Sequence, residues 1–203
     1  MEAAVQKNYH LHNWFSDDAR FHHLFPLHIQ KRARRHWTPL EVVRCASEFL
    51  VPQSGARILD IGSGVGTFCL SAAYYKPNGL FHGIEQRKDL TDYALQAKRE
   101  LGLANVFFTH GNFTQLDLST YDHFYFFNSF YENLEGTEKI DHTIEYSSSL
   151  YNYYNRYLYK QLEQMPDGTR IATFHSLEEE IPPCYYVVKT HFEGLLKFWI
   201  KYD

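Results

Sequence analysis

The chain has 203 residues, of which 44% are apolar and 22% charged, and a formal net charge of −4. That length and balance suit one α/β domain with a single core and argue against disorder. No run of about 18 apolar residues occurs, so no membrane partner is expected, and the charge excludes a globally basic nucleic-acid binder.

Met1 to His10 lacks the basic, apolar, small-residue order of a secretory signal, and a cytoplasmic location is expected. Cys45, Cys69 and Cys184 are odd in number and far apart, which argues against a disulfide framework or a CxxC metal site. His22, His23, His28 and His36 have neither HxxxH nor HExxH spacing, so no metal is expected. Arg20, Lys31, Arg32, Arg34, Arg35 and Arg44 cluster ahead of the first strand, as a solvated face or as a site for an anionic partner.

Thr38-Pro39-Leu40-Glu41 reads as a helix start, with a threonine N-cap and proline at the first helical position, and the helix should run to Leu50. Pro52 to Gly55 then breaks the chain. Apolar runs predict strands over Arg57 to Ile61, Leu80 to Glu85, Val106 to His110, His123 to Asn128 and Arg170 to Phe174, with helices between them. That alternation implies a parallel sheet with right-handed crossovers. Tyr146, Leu150, Tyr153, Tyr154, Tyr157, Leu158 and Leu162 share one helical face, expected to pack on the sheet. Tyr185 to His191 and Leu195 to Tyr202, separated by Phe192-Glu193-Gly194, should form an antiparallel hairpin.

Ile58-Leu59-Asp60-Ile61-Gly62-Ser63-Gly64-Val65-Gly66-Thr67 places a glycine-rich turn between a buried strand and a helix expected from about Val65. Without Cβ atoms, Gly62 and Gly64 let a ligand approach the backbone and the helix amides. Dinucleotide-binding folds use such turns too, but Thr67 stands where their third glycine would be. Asp60, two residues before Gly62, would repel a pyrophosphate and attract an ammonium; its alternative role is that of a capping acid.

This segment resembles motif I of class I S-adenosylmethionine-dependent methyltransferases. The resemblance implies a three-layer α/β sandwich around a seven-stranded mixed sheet, mostly parallel, whose last strand inserts antiparallel beside the fifth. It implies S-adenosyl-L-methionine as cofactor, with Asp60 facing the amino acid moiety and Gly62, Ser63, Gly64, Gly66 and Thr67 wrapping the methionine and ribose. Glu85 ends the second strand, where an acid can accept both ribose hydroxyls, and Gln86 can line the adenosine pocket. Gly111-Asn112-Phe113 resembles a GDF-like turn, with the Asn112 carbonyl in place of the acid that contacts adenine. Phe113 could stack on adenine or belong to the core.

Asn128 closes the predicted fourth strand at the carboxyl edge of the sheet, where open α/β folds bind ligands. It is the candidate for positioning an acceptor nitrogen, with Tyr131 as a pocket wall; the alternatives are a structural amide and a packed phenol. From Gly62 to Phe174 the layout is similar to the non-SET histone-lysine methyltransferases, although Ser129 replaces their second asparagine. Asn128-Ser129-Phe130-Tyr131 keeps the outer residues of an NPPY signature but lacks both prolines, which disfavours a nucleic-acid acceptor. The expected activity is methyl transfer to a nitrogen of a protein or small molecule, and a noncatalytic cofactor-binding module is the alternative. Residues 1–53 are expected to form a helical cover that carries acceptor choice, and residues 54–203 the methyltransferase domain. Nothing in the sequence specifies an oligomeric state.

Overall fold

A computed structural model of the chain describes residues 11–176 and 178–202, with the backbone alone at Arg34, Arg35 and Glu178. Met1 to His10, and the side chains of Arg34 and Arg35 in the basic cluster, therefore lie outside the described residues. Seven strands, β1 (Arg57–Ile61), β2 (Leu80–Glu85), β3 (Val106–His110), β4 (His123–Phe126), β5 (Arg170–Phe174), β6 (Tyr185–His191) and β7 (Leu196–Lys201), form one sheet in the order β3-β2-β1-β4-β5-β7-β6. The first five are parallel, and β7 lies antiparallel between β5 and β6. The expected mixed sheet and terminal hairpin are both present, and β1 is the middle one of the five parallel strands, with Ile58, Leu59 and Ile61 buried.

Helices α1 (Leu40–Leu50), α2 (Thr67–Tyr75), α3 (Lys88–Leu101) and α4 (Ser148–Glu163) complete the layers. One core cluster joins α1, α2 and α3 to the sheet, and a second joins α4 to it through Tyr154, Leu158 and Leu162. Ser147 Oγ accepts the Leu150 N–H and caps α4, so Tyr146 falls outside the helical face expected to include it.

The N-terminal residues form short helical turns at Asp18–His22, Leu27–Gln30 and Ala33–His36, and Phe21 and Ile29 of these turns join the first core cluster together with Phe25 between them. Thr38 does not cap α1. Its hydroxyl pairs with Tyr125 Oη at 2.9 Å, while Asp18 Oδ1 accepts the Leu40 N–H at 2.8 Å. The longer acid, delivered from the cover, thus replaces the local cap. Three further boundaries move: α2 starts at Thr67 rather than Val65, β7 is a residue shorter at each end, and β4 stops at Phe126 rather than Asn128. The last change has a backbone cause, because Asn128 has φ +45° and leaves the sheet plane. Among the described residues, no helix is long and apolar enough to cross a membrane.

Candidate active site

The turn after β1 is tied to β2 by the N–H groups of Gly62 and Ser63, both donating to Ile84 O at 3.0 Å. Its glycines have different tasks. A Cβ on Gly66, at φ +82°, would lie 2.4 Å from the Phe108 ring, so its absence serves packing. Gly64, at φ +55°, has nothing within 4 Å of a would-be Cβ, which leaves room for a ligand against bare backbone. Gly62 makes space for Ser129, whose Oγ donates to Ile61 O and fixes the loop after β4 to the glycine turn. Ser63 and Thr67 are buried; Ser63 sits over Gly83, where a Cβ would come within 2.6 Å of its Oγ.

Beside this turn lies a cavity of about 500 Å³, walled by Gly64, Glu85, Gln86, Phe113, Asn128 and Tyr131 among others. Glu85 is buried, and its two oxygens accept the Gly64 N–H at 3.0 Å and the Arg87 N–H at 2.8 Å. Burial pushes its carboxyl above the usual range, opposed by those amides and by the Arg87 charge.

Asp60 lies outside the cavity lining, fully enclosed, with the Cys69 thiol donating to it at 3.6 Å. Desolvation pushes its pKa up to about 8; the Cys69 contact opposes the shift and the Glu85 charge adds to it. Asn112 is also turned away: its carbonyl accepts from Thr114 N and Oγ1 and caps the Phe113–Gln115 turn, while its amide donates to Tyr154 Oη. Phe113 packs against Phe130, Tyr154 and Tyr157 as well as lining the cavity, so core and wall are the same residue.

At the far side, Asn128 and His175 follow adjacent strands, and both have left-handed backbones, at φ +45° and +55°. Such strain in non-glycine residues is held only where surrounding structure enforces it. The Asn128 N–H donates to Ser176 Oγ at 3.4 Å, and its carbonyl accepts the Tyr131 N–H at 3.1 Å. Phe127, Phe174 and His175 pack against one another at this end, and Trp37, with Arg32 and His36 of the N-terminal turns, also lines the cavity.

Sequence reasoning passed over Arg87. Its guanidinium is 6% exposed and meets Glu132 Oε2 at 2.6 Å, Asp141 Oδ2 at 3.2 Å and Tyr146 Oη at 2.5 Å. Burial opposes its charge, but Glu132, Glu85, Tyr146 and Asp141 together hold it above its ordinary pKa. The available signal was an arginine two residues after an acid at a strand end, unremarkable until its distant acidic partners are known.

A sheet of this order, with a glycine turn after β1 and a buried acid ending β2, defines a class I Rossmann-like methyltransferase, the class whose cofactor is S-adenosylmethionine. The family described as a methyltransferase domain matches residues 52–159, more than half of the chain, and the chain belongs to that family. The open face of Gly64 and the carboxylate of Glu85 both border the cavity. A tRNA (guanine-N(7)-)-methyltransferase of Nostoc sp. is 32% identical over 85 residues, covering 42% of this chain and 38% of that protein. One from Synechococcus sp. is 46% identical over 54 residues, 27% of this chain and 23% of that protein. The matched segments thus span less than two fifths of these relatives' length. Among solved structures, an RNA methyltransferase from Salinibacter ruber in complex with S-adenosyl-L-homocysteine aligns with a TM-score of 0.56 at 21% identity, covering 82% of this chain and 94% of that one. TrmN from Thermus thermophilus aligns at 0.58 with 18% identity, covering 85% and 51%. These two likenesses concern the fold.

Proposed function

We propose that the chain transfers a methyl group from S-adenosylmethionine to a nitrogen of an RNA base. This reading departs from the expectation of a protein or small-molecule acceptor. The observation that carries it is the aromatic lining of the cavity: Phe127 and Phe174 pack together beside Asn128, and Trp37 lines the same cavity. Aromatic walls stack planar bases for about 1–3 kcal/mol each, with little dependence on sequence. The tRNA-modifying relatives and the basic residues ahead of Thr38 agree with such an acceptor.

Bound in the cavity, S-adenosylmethionine would supply an electrophilic methyl on a sulfonium, and the carbon–sulfur bond would break as the new carbon–nitrogen bond forms. The protein's tasks are then positioning and exclusion of water. Glu85 accepts hydrogen bonds from ribose hydroxyls, and the backbone at Gly64 admits the chain of the methionine. The Asn128 side chain holds the acceptor nitrogen with its lone pair toward the methyl, and Tyr131 walls that subsite. In this reading, residues 11–37 of the cover select the acceptor, with Arg32 and His36 at the rim.

The net charge of −4 favours the second reading, a protein or small-molecule nitrogen. Incubation with tritiated-methyl S-adenosylmethionine and fractionated cell lysate separates the two. Label in ribonuclease-sensitive material supports the first, and label only in protein or small molecules supports the second. Cofactor binding with no labelled fraction would leave a noncatalytic module.

A further inference from the structure

The segment between β4 and α4, residues 127–147, carries one wall of the cavity yet has only a single short turn of regular structure, Tyr131–Asn133. Connections of this length inside a compact domain usually have a task. Its shape is held by charged side chains. Lys139 Nζ donates to Glu132 O and to Leu134 O, the Ile140 N–H donates to Glu132 Oε2 at 3.2 Å, and Tyr146 Oη donates to the same oxygen at 3.0 Å. Asp141 Oδ1 accepts from Thr143 N and Oγ1, closing the turn that brings Asp141 back to the sheet.

All of these ends converge on Arg87, which β2 and the start of α3 hold in place. Its guanidinium reaches Glu132, Asp141 and Tyr146 on the segment, and lies 3.7 Å from Glu85 on the cofactor side. Arg32 Nη2 of the cover stands 4.0 Å from Asp141 Oδ2, the oxygen that also meets Arg87. One buried cation therefore sits between the carboxylate assigned to the ribose and the wall assigned to the acceptor.

We infer that Arg87 is a positioning residue that couples the two halves of the site, so that cofactor binding at Glu85 tightens the 131–146 segment around the acceptor. The physical sequence is short. Ribose hydroxyls donating to Glu85 would add to the Gly64 and Arg87 amides that already favour its charged form against burial. A charged Glu85 holds the guanidinium, and the guanidinium cannot stay buried without Glu132 and Asp141 beside it. The segment is thus ordered by an ion network whose inner member answers to the cofactor. By linkage the effect is mutual: what the cofactor does for the segment, the segment does for cofactor affinity. The inference rests on the proposed role of Glu85 in cofactor binding.

Hydrogen exchange with and without saturating S-adenosylhomocysteine, beside calorimetric titration of that ligand, tests it. In the wild type, amides of residues 131–146 should exchange at least about fivefold more slowly with ligand bound. Arg87→Met should abolish that protection. Glu132→Gln, which leaves the Glu85 contacts intact and is placed to fold normally, should reduce the protection and weaken ligand affinity by about fivefold. Unchanged exchange in the wild type on binding, or Glu132→Gln behaving as wild type in both measurements, overturns the coupling while leaving the cofactor site standing. A wild-type protein that binds neither S-adenosylhomocysteine nor S-adenosylmethionine overturns the cofactor reading and the coupling together.

Discussion

The glycine turn and the 127–147 segment face each other across one cavity and are built in opposite ways. The turn is backbone: positive-φ glycines, amides tied to Ile84 O, and short-range steric fits to Phe108 and Ser129. The segment is side chain: ions and hydroxyls 45 to 59 residues from Arg87 hold an otherwise irregular stretch. Backbone geometry keeps one shape whatever is bound, whereas an ion network can tighten or loosen with the charge it encloses. The rigid side is therefore suited to an invariant cofactor and the adjustable side to closing on an acceptor.

The largest expected effect tests the rigid side. Gly66→Ala places a Cβ against the Phe108 ring at a left-handed backbone, and should lower unfolding free energy by about 2–4 kcal/mol in a urea titration. Gly64→Ala has the same kind of backbone but open space, and should lose only about 1–2 kcal/mol of stability. Its added methyl should instead weaken S-adenosylmethionine binding. Equal stability losses in the two variants would erase the distinction between a packing glycine and a ligand glycine.

Asn128→Ala probes the adjustable side. Loss of an acceptor contact made in the transition state should lower turnover by about ten- to thousandfold, with cofactor affinity changed by less than about threefold. A parallel loss of cofactor affinity would place Asn128 on the cofactor instead.

The same contrast explains what could be read in advance. Apolar runs and the spacing of glycines and acids are local signals, so the strands, the sheet class and the glycine turn after the first strand were legible. Asn128 was legible as a site candidate but was expected in a strand, because Phe126-Phe127 continues the apolar run and nothing in the neighbouring residues marks its φ of +45°. Thr38 looked like a cap, since the competing Asp18 lies 22 residues from Leu40 and only folding brings it there. Asp60 and Asn112 have the chemical type a cofactor site would use, yet their side chains are engaged by Cys69 and Thr114. The Arg87 network has no periodicity, and its members become neighbours only when the sheet edge and the segment meet.

Two buried groups in neighbouring strands give opposite pH signatures. His123 is pushed down to about 4, first by burial and then by the Arg170 charge, while its Nδ1 accepts the Arg170 N–H. Its folded pKa lies below the unfolded 6.5, so the stability it contributes is present above pH 6.5 and lost as pH falls toward 4. Asp60 is raised from 3.8 to about 8, so its contribution is present below pH 3.8 and lost as pH rises toward 8. The slopes oppose each other between about pH 4 and 6.5, each near 1 kcal/mol per pH unit. Denaturant titrations of His123→Gln should therefore show stability falling with pH in that window, and those of Asp60→Asn should show it rising. Matching profiles in both variants would mean that neither group titrates as its surroundings dictate.

The smallest expected effect decides whether Asp60 belongs to the cofactor half at all. The groups facing it, Cys69, Glu85 and Tyr125, supply no positive charge, so it stays largely protonated in the free protein at pH 7. A cation bound nearby would favour the ionised form, and binding would then release part of a proton. Affinity for S-adenosylmethionine should accordingly rise by about three- to tenfold from pH 6 to 7, below the range in which the cofactor's own amine titrates. Calorimetry in two buffers of different ionisation enthalpy reads the proton directly. Asp60→Asn should abolish the release, and S-adenosylhomocysteine, which lacks the sulfonium charge, should show less of it than S-adenosylmethionine. If wild type and Asp60→Asn release the same fraction of a proton, Asp60 serves only the core beneath the turn, and the cofactor's cation is met by other groups.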